Sequence, residues 1–220
     1  MLINSGLVLV ASYLIGAVPF GLIIVQLVRG LDVRKIGSGR IGGTNVMRAA
    51  GAHAGMLAAL LDVFKGVITG FLADWIMPGE ILVKVLAVSL AVVGQIYSIF
   101  LIERDENGRL KWKGGAGGAT CLGGAVALWP LGGLIIFGIA MLVYVFVGYA
   151  SLTTISVAFF SLVFFAVRAI AGVSEWELIL YGVISLTFVF FALRPNLERL
   201  RMGTERTVGL RAWREKKKLQ

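Results

Sequence analysis

Gly37-Ser38-Gly39-Arg40-Ile41-Gly42-Gly43-Thr44-Asn45-Val46-Met47-Arg48 gathers anion-binding groups more densely than any other stretch of this chain. Glycine reaches backbone angles that other residues avoid, so neighbouring N–H groups can converge on one anion. Serine, threonine and asparagine add short donors, and arginine adds a permanently charged fork. The chemistry this suits is the holding of a phosphate. A flexible connector whose arginines only set topology has the same glycine count; the density of donors favours the phosphate site.

Two more clusters have related chemistry. Lys113-Gly114-Gly115-Ala116-Gly117-Gly118-Ala119-Thr120 opens an apolar segment, and free N–H groups at a helix start attract anions. It is not a Walker A loop, because the lysine precedes the glycines. Taken alone, this run reads better as close helix packing through small residues. The third cluster is Arg194-Pro195-Asn196-Leu197-Glu198-Arg199 with Gly203-Thr204-Glu205-Arg206. Its plain alternative is a basic tail lying against lipid. Asp62 and Lys65 sit inside an apolar span, where ionisable groups are expensive and point to function. Their spacing lets them neutralise one another on one helix face, so a structural ion pair beside the site is favoured over direct catalysis.

The elements that position these groups are membrane helices. The 220 residues are 58% hydrophobic and 15% charged, with mean hydropathy +0.90. Soluble domains carry about a quarter charged residues, so the chain reads as an all-α, polytopic membrane protein. A net charge of +9 then reflects cytoplasmic connectors and contact with anionic membrane lipid, rather than nucleic acid. Cys121 offers neither disulfide nor CxxC motif and is expected to pack as a small apolar side chain. The single His53 builds no metal cluster by itself and is expected at the surface. No cofactor or metal is expected.

Apolar runs predict about seven transmembrane helices: Leu2–Val28 with a kink at Pro19, Ala54–Met77, Ile81–Ile102, a short glycine-rich Gly114–Trp129 (a partial span or a helix packed tightly on its neighbours), Leu131–Val147, Ser151–Ile170 and Leu178–Leu193. The start lacks a basic leader region, so the first run is expected to be a retained helix. Arginine and lysine crowd the first connector, the third connector and the segment after Leu193. The positive-inside rule then places the N-terminus outside, the C-terminus in the cytoplasm and all three clusters on the cytoplasmic side. The expected organisation is one integral membrane domain over residues 1–220, with 194–220 as a basic cytoplasmic tail. Asn107-Gly108 predicts a short hairpin within Ile102–Trp112, since both central residues of its favoured turn need positive φ; a solvated loop is the competing reading.

The three clusters, in this order, resemble the bacterial membrane glycerol-3-phosphate acyltransferases that use acyl phosphate, the PlsY family. Ser12 to Gly21 looks like the family's first helix. Gly37 to Arg48 is similar to its GSGxxGxTNxxR motif, and Leu61-Asp62-Val63-Phe64-Lys65-Gly66 to its LDxxKG element. Tyr149-Ala150-Ser151-Leu152 resembles its YxSL element, and Asn196 with Gly203-Thr204-Glu205 its last motif. The chain departs from the pattern at several points. Ala116 stands where KGGKGVAT has its second lysine, and Gln95 where a histidine usually follows Gly94. Leu193 occupies the histidine position of HRxN, and Gly148 a commonly basic one.

The resemblance implies transfer of a fatty acyl group from acyl phosphate to the primary hydroxyl of glycerol 3-phosphate, giving lysophosphatidate for phospholipid synthesis. It implies a multi-pass protein of the bacterial inner membrane with its active site facing the cytoplasm. Lys113, Asn196 and Ser151 become the catalytic residues. Ser38, Gly39, Thr44, Asn45 and Arg48 become substrate-binding, as do Gly114, Gly115, Thr120 and Glu205. Phosphate is a good leaving group, so the protein's tasks reduce to neutralising charge and positioning. With Leu193 at the histidine position no general base is evident, and a substrate phosphate oxygen can take the proton. The departures leave two other readings: a paralogue that binds the phosphate ligand without turnover, and an anion or lipid transporter, for which no inverted repeat is visible.

Overall fold

Pro19 has no N–H to continue a helix, and the first apolar run breaks there. A computed structural model describes residues 1–104 and 107–218. Helix α1 (Leu2–Ala17) ends before Val18-Pro19 and α2 (Phe20–Arg29) begins after it, so the expected kinked span is two helices. The first connector then carries a single 3₁₀ turn (Val33–Lys35) and α3 (Gly43–Ala50). Thr44, Asn45 and Arg48 therefore stand on a helix, where the sequence suggested a loop. The next helices are α4 (Ala52–Ile76) and α5 (Ile81–Ile96).

Strands β1 (Ile102–Arg104) and β2 (Leu110–Trp112) form the expected antiparallel hairpin, with Glu103 opposite Lys111. The tight turn is not the one expected. Gly108 has φ 72°, but Arg104 pairs with Leu110, whereas a two-residue turn at Asn107-Gly108 would set it opposite Lys111. Asp105 and Glu106 lie outside the described residues. After the hairpin come α6 (Gly118–Leu128), α7 (Pro130–Leu142) with a π-helical turn at Val143–Val147, α8 (Ala150–Ile170), α9 (Glu177–Arg201) and α10 (Gly209–Lys218). Because α9 runs on to Arg201, residues 194–201 are helix rather than tail.

Among the described residues, six segments are long and apolar enough to cross a membrane, beginning with Leu2–Arg29, which joins α1 and α2. The fourth expected span, Gly114–Trp129, shrinks to α6. At 1.5 Å per residue it covers about 16 Å of a hydrocarbon core of about 30 Å. It is held inside the bundle instead, against α4, α5, α7 and α8. Glycines make the α4–α6 crossing possible: a Cβ on Gly123 would stand 1.9 Å from the Val63 carbonyl oxygen, and one on Gly66 2.3 Å from that of Thr120. Small residues at such contacts let two helices dock closely where no hydrophobic force drives them together. On the outer faces Phe71, Trp75, Leu134 and Ile170 are exposed, and apolar exposure on this scale suits lipid rather than water. The polar clusters gather where the helix ends meet the connectors.

Candidate active site

Asn45 gives the first connector its shape. Its side chain is buried; its Oδ1 accepts from the Ser38 N–H at 3.0 Å, and its Nδ2 donates to the carbonyls of Val33, Ile36 and Arg40 at 3.1, 2.9 and 2.8 Å. The amide is therefore committed to the loop and is not available to a ligand, which corrects its expected role. Gly37, at φ 54°, is needed for this wrap, because a Cβ there would lie 2.3 Å from the Asn45 oxygen. What the wrap presents outward is Ser38, Gly39 and Arg40.

Those three line a cleft of about 410 Å³ together with Lys113, Gly114 and Arg199. The first and second clusters are thus brought face to face. The glycines of the second cluster serve close packing here. The Gly115 N–H donates to the Gln95 carbonyl at 2.8 Å, and a Cβ on Gly114 would stand 2.1 Å from the Ile96 carbonyl oxygen. Gly115 is therefore not a free anion donor. Arg34 also lines the cleft. Glu103 on β1 bridges Arg34 and Lys113, at 2.6 Å to each, so the hairpin's carboxylate occupies two of the four cations lining the cleft. The Lys113 hydrogen bond, reinforced by Arg34, holds the Glu103 carboxyl below its ordinary range. The pairing is complete above pH 4.5, the ordinary carboxyl value, and is lost as pH falls through the lower folded value.

A phosphate entering this cleft would compete with Glu103 for these cations. Glu103→Gln is expected to tighten inhibition by inorganic phosphate at pH 7 by up to about fivefold, the scale of a partly exposed pair worth about 1 kcal/mol or less. Inhibition titrations of the variant against wild type check this; unchanged or weaker inhibition removes Glu103 as a competitor.

The third cluster closes the cleft. Glu205 has a nearly buried side chain, 5% exposed, and receives three groups. Ser151 Oγ donates at 3.2 Å, Asn196 Nδ2 at 2.8 Å and Arg199 Nε at 3.0 Å. Asn196 Oδ1 in turn accepts from Arg40 at 3.3 Å. Arg40, Asn196 and Glu205 form a polar wall that ties the first connector, α9 and the segment after it to the start of α8.

Beyond the wall lies a second cleft, of about 490 Å³, lined among others by Arg48, Tyr149, Glu205, Arg206 and Arg211. Arg48 and Ser38, expected on one phosphate, therefore face different clefts. No described residue forms an ion pair or hydrogen bond with the Arg48 side chain. Burial, then the nearby Arg206, push its guanidinium below the ordinary arginine value, with Tyr144 and Glu205 opposing. Gly148 is explained here. It has φ 78°, and a Cβ on it would lie 2.6 Å from Arg211 Cβ. The chain after α9 packs onto this glycine, and the Arg211 guanidinium sits 4.6 Å from the Tyr149 ring centre, bringing a cation beside the tyrosine from another element.

Thr44 and Thr120 line neither cleft. Thr120 is fully buried at the α4–α6 crossing, with its hydroxyl unpartnered, and so departs from its expected contact with substrate. Leu193 is 1% exposed and packs in the apolar core, with Ala116 against the same core. Asp62 and Lys65 pair at 3.0 Å inside the bundle, joined by Gln95, whose Nε2 donates to Asp62 at 2.8 Å. Lys65 also donates to the carbonyls of Gly16 and Val18, which the Pro19 break leaves without helical partners. The sequence reading gave Arg40, Gln95 and Arg199 no individual role. Arg199 carried a signal, since it stands three residues after Asn196 on one helix face. Arg40 stood in the donor-rich stretch and Gln95 at a departure from the family pattern, but their partners, distant in sequence, carried no signal.

The sequence matches the family described as glycerol-3-phosphate acyltransferase over residues 6–203. It is similar to the glycerol-3-phosphate acyltransferase of Thermosipho melanesiensis, at 38% identity over 89% of this chain and 88% of the relative. It is also similar to that of Thermus thermophilus, at 35% identity over 92% of this chain and 94% of the relative. Among solved structures it resembles the crystal structure of PlsY, an integral membrane glycerol 3-phosphate acyltransferase, in its glycerol 3-phosphate form. The TM-score is 0.80 at 29% identity, covering 93% of this chain and 96% of that one. The lysophosphatidic acid form of the same protein gives a TM-score of 0.78 at 28% identity, covering 93% of this chain and 95% of that one.

Proposed function

Because the chain belongs to the glycerol-3-phosphate acyltransferase family and is an integral membrane acyltransferase for glycerol 3-phosphate, we propose that its donor is acyl phosphate and that the two clefts hold the two phosphate-bearing substrates. The observation that carries this reading is the wall of Arg40, Asn196 and Glu205 with a cationic cleft on each side. Glycerol 3-phosphate binds through Arg48 in the larger cleft. The phosphate of the donor binds among Ser38, Gly39, Lys113 and Gly114 in the smaller one.

The acceptor's primary hydroxyl oxygen attacks the acyl carbonyl carbon. The bond from that carbon to the phosphate oxygen breaks, and the hydroxyl proton passes to the departing phosphate. No separate base is required. Ser151 and Asn196, both hydrogen-bonded to Glu205, orient the acceptor between the clefts. Asn45 acts by holding the connector, and Lys113 neutralises the donor's phosphate once Glu103 is displaced. Cations placed where charge develops on the leaving group lower the barrier directly.

The basic residues of the connectors support a cytoplasmic site in a bacterial inner membrane. Helix α10, with exposed Trp213 next to the basic run Lys216 to Lys218, supports contact with anionic lipid. The test of the donor is direct. Purified protein given acyl phosphate and glycerol 3-phosphate is expected to release inorganic phosphate and lysophosphatidate in equal amounts. Turnover with an acyl thioester and none with acyl phosphate overturns the donor assignment.

A further inference from the structure

Arg40 is the cation of the smaller cleft that has no carboxylate. Among the described residues lining that cleft, Arg34 pairs with Asp32 and Glu103, Lys113 with Glu103, and Arg199 with Glu205. Arg40 has no ion-pair partner in this set, and it is partly buried. It donates to the carbonyl of Gly115 at 3.4 Å, to the carbonyl of Ala192, and to Asn196 Oδ1 at 3.3 Å. A guanidinium carries five N–H donors, so these three bonds leave two unused.

The place it occupies is specific. Gly115 immediately precedes Ala116, and Ala192 immediately precedes Leu193. These are the two positions where the family resemblance expects a lysine and a histidine and this chain has apolar residues facing the core. Arg40 reaches the gap between them from the opposite connector.

We propose that Arg40 is a substrate-anion ligand of the donor cleft, holding the phosphate with its two unused N–H groups while its other bonds fix the Asn196 amide. This rests on the donor reading above only for the name of the substrate. The requirement for an anion comes from the unpaired charge, since a partly buried cation without a counter-ion is costly and a bound phosphate supplies one. The cation of this site is thus permanent, where a histidine would titrate.

Inorganic phosphate is the probe, with binding measured by calorimetry on the purified full chain in detergent. Arg40→Gln is expected to weaken binding tenfold or more. Affinity within twofold of wild type overturns the proposal. Arg40→His supplies a second readout that a purely structural tie would not move. Imidazole is charged below its pKa of about 6.5, so the affinity of this variant relative to wild type in the same buffers is expected to fall at least fivefold between pH 5.5 and 8. A ratio that stays flat with pH overturns the proposal, including where Arg40→Gln does not fold. If wild type binds phosphate but does not turn over acyl phosphate, the donor reading fails and these binding ratios still decide the role of Arg40.

Discussion

Asp62→Ala is expected to destabilise the protein by about 3–5 kcal/mol, the cost of leaving one partner of a buried ion pair uncompensated. Asp62 and Lys65 are 2% and 1% exposed and lie 3.0 Å apart within α4. Around them the surroundings are apolar helix, so water cannot replace a lost partner. Removing the carboxylate leaves the Lys65 ammonium without a counter-ion and the Gln95 Nε2 without its acceptor. The double variant Asp62→Ala/Lys65→Met removes the stranded charge and is expected to be more stable than Asp62→Ala alone. It stays below wild type, because the Gly16 and Val18 carbonyls at the Pro19 break lose the Lys65 ammonium, and Val18 keeps only the Phe20 N–H. Thermal unfolding in detergent ranks the three proteins. A double variant no more stable than the single one shows that the two charges do not depend on each other.

Arg48→Ala is expected to weaken glycerol 3-phosphate binding ten- to a hundredfold while the protein stays folded. A charge-assisted hydrogen bond contributes about 1.5–3 kcal/mol, which converts to about that range of affinity. The residue is solvent-accessible, makes no ion pair with any described residue, and lines the larger cleft close to Arg206. Removing it costs the fold little and relieves a repulsion, so the loss should fall on the ligand. Donor hydrolysis without the acceptor, which depends on the other cleft, is expected to change less than acceptor affinity. Equal affinity in wild type and variant would move the acceptor out of this cleft; equal losses in both measurements would merge the two clefts into one site.

The membrane class, the helix positions and the three polar clusters are legible in the sequence because each depends on local composition. Lipid demands long apolar runs whose backbone bonds are satisfied within the segment, so spans can be read by counting. Basic connectors and glycine runs are local signals too, and they located Ser38, Lys113, Asn196, Glu205 and Arg48. Tertiary structure decided what each of them does. Asn45 and Gly115 look like ligand donors until their bonds to Ser38 and Gln95 are seen, because a donor's availability depends on what else reaches it. α6 reads as either a partial span or a packed helix, and its enclosure by α4 and its neighbours decides for the second. Arg40 reads as one more loop arginine, yet it meets Ala192 and Asn196 more than 150 residues away. Contacts across such separations leave no trace in composition or spacing. They exist only because packing brings the helix ends together, and so the sequence marked the site's components while the fold assigned their partners.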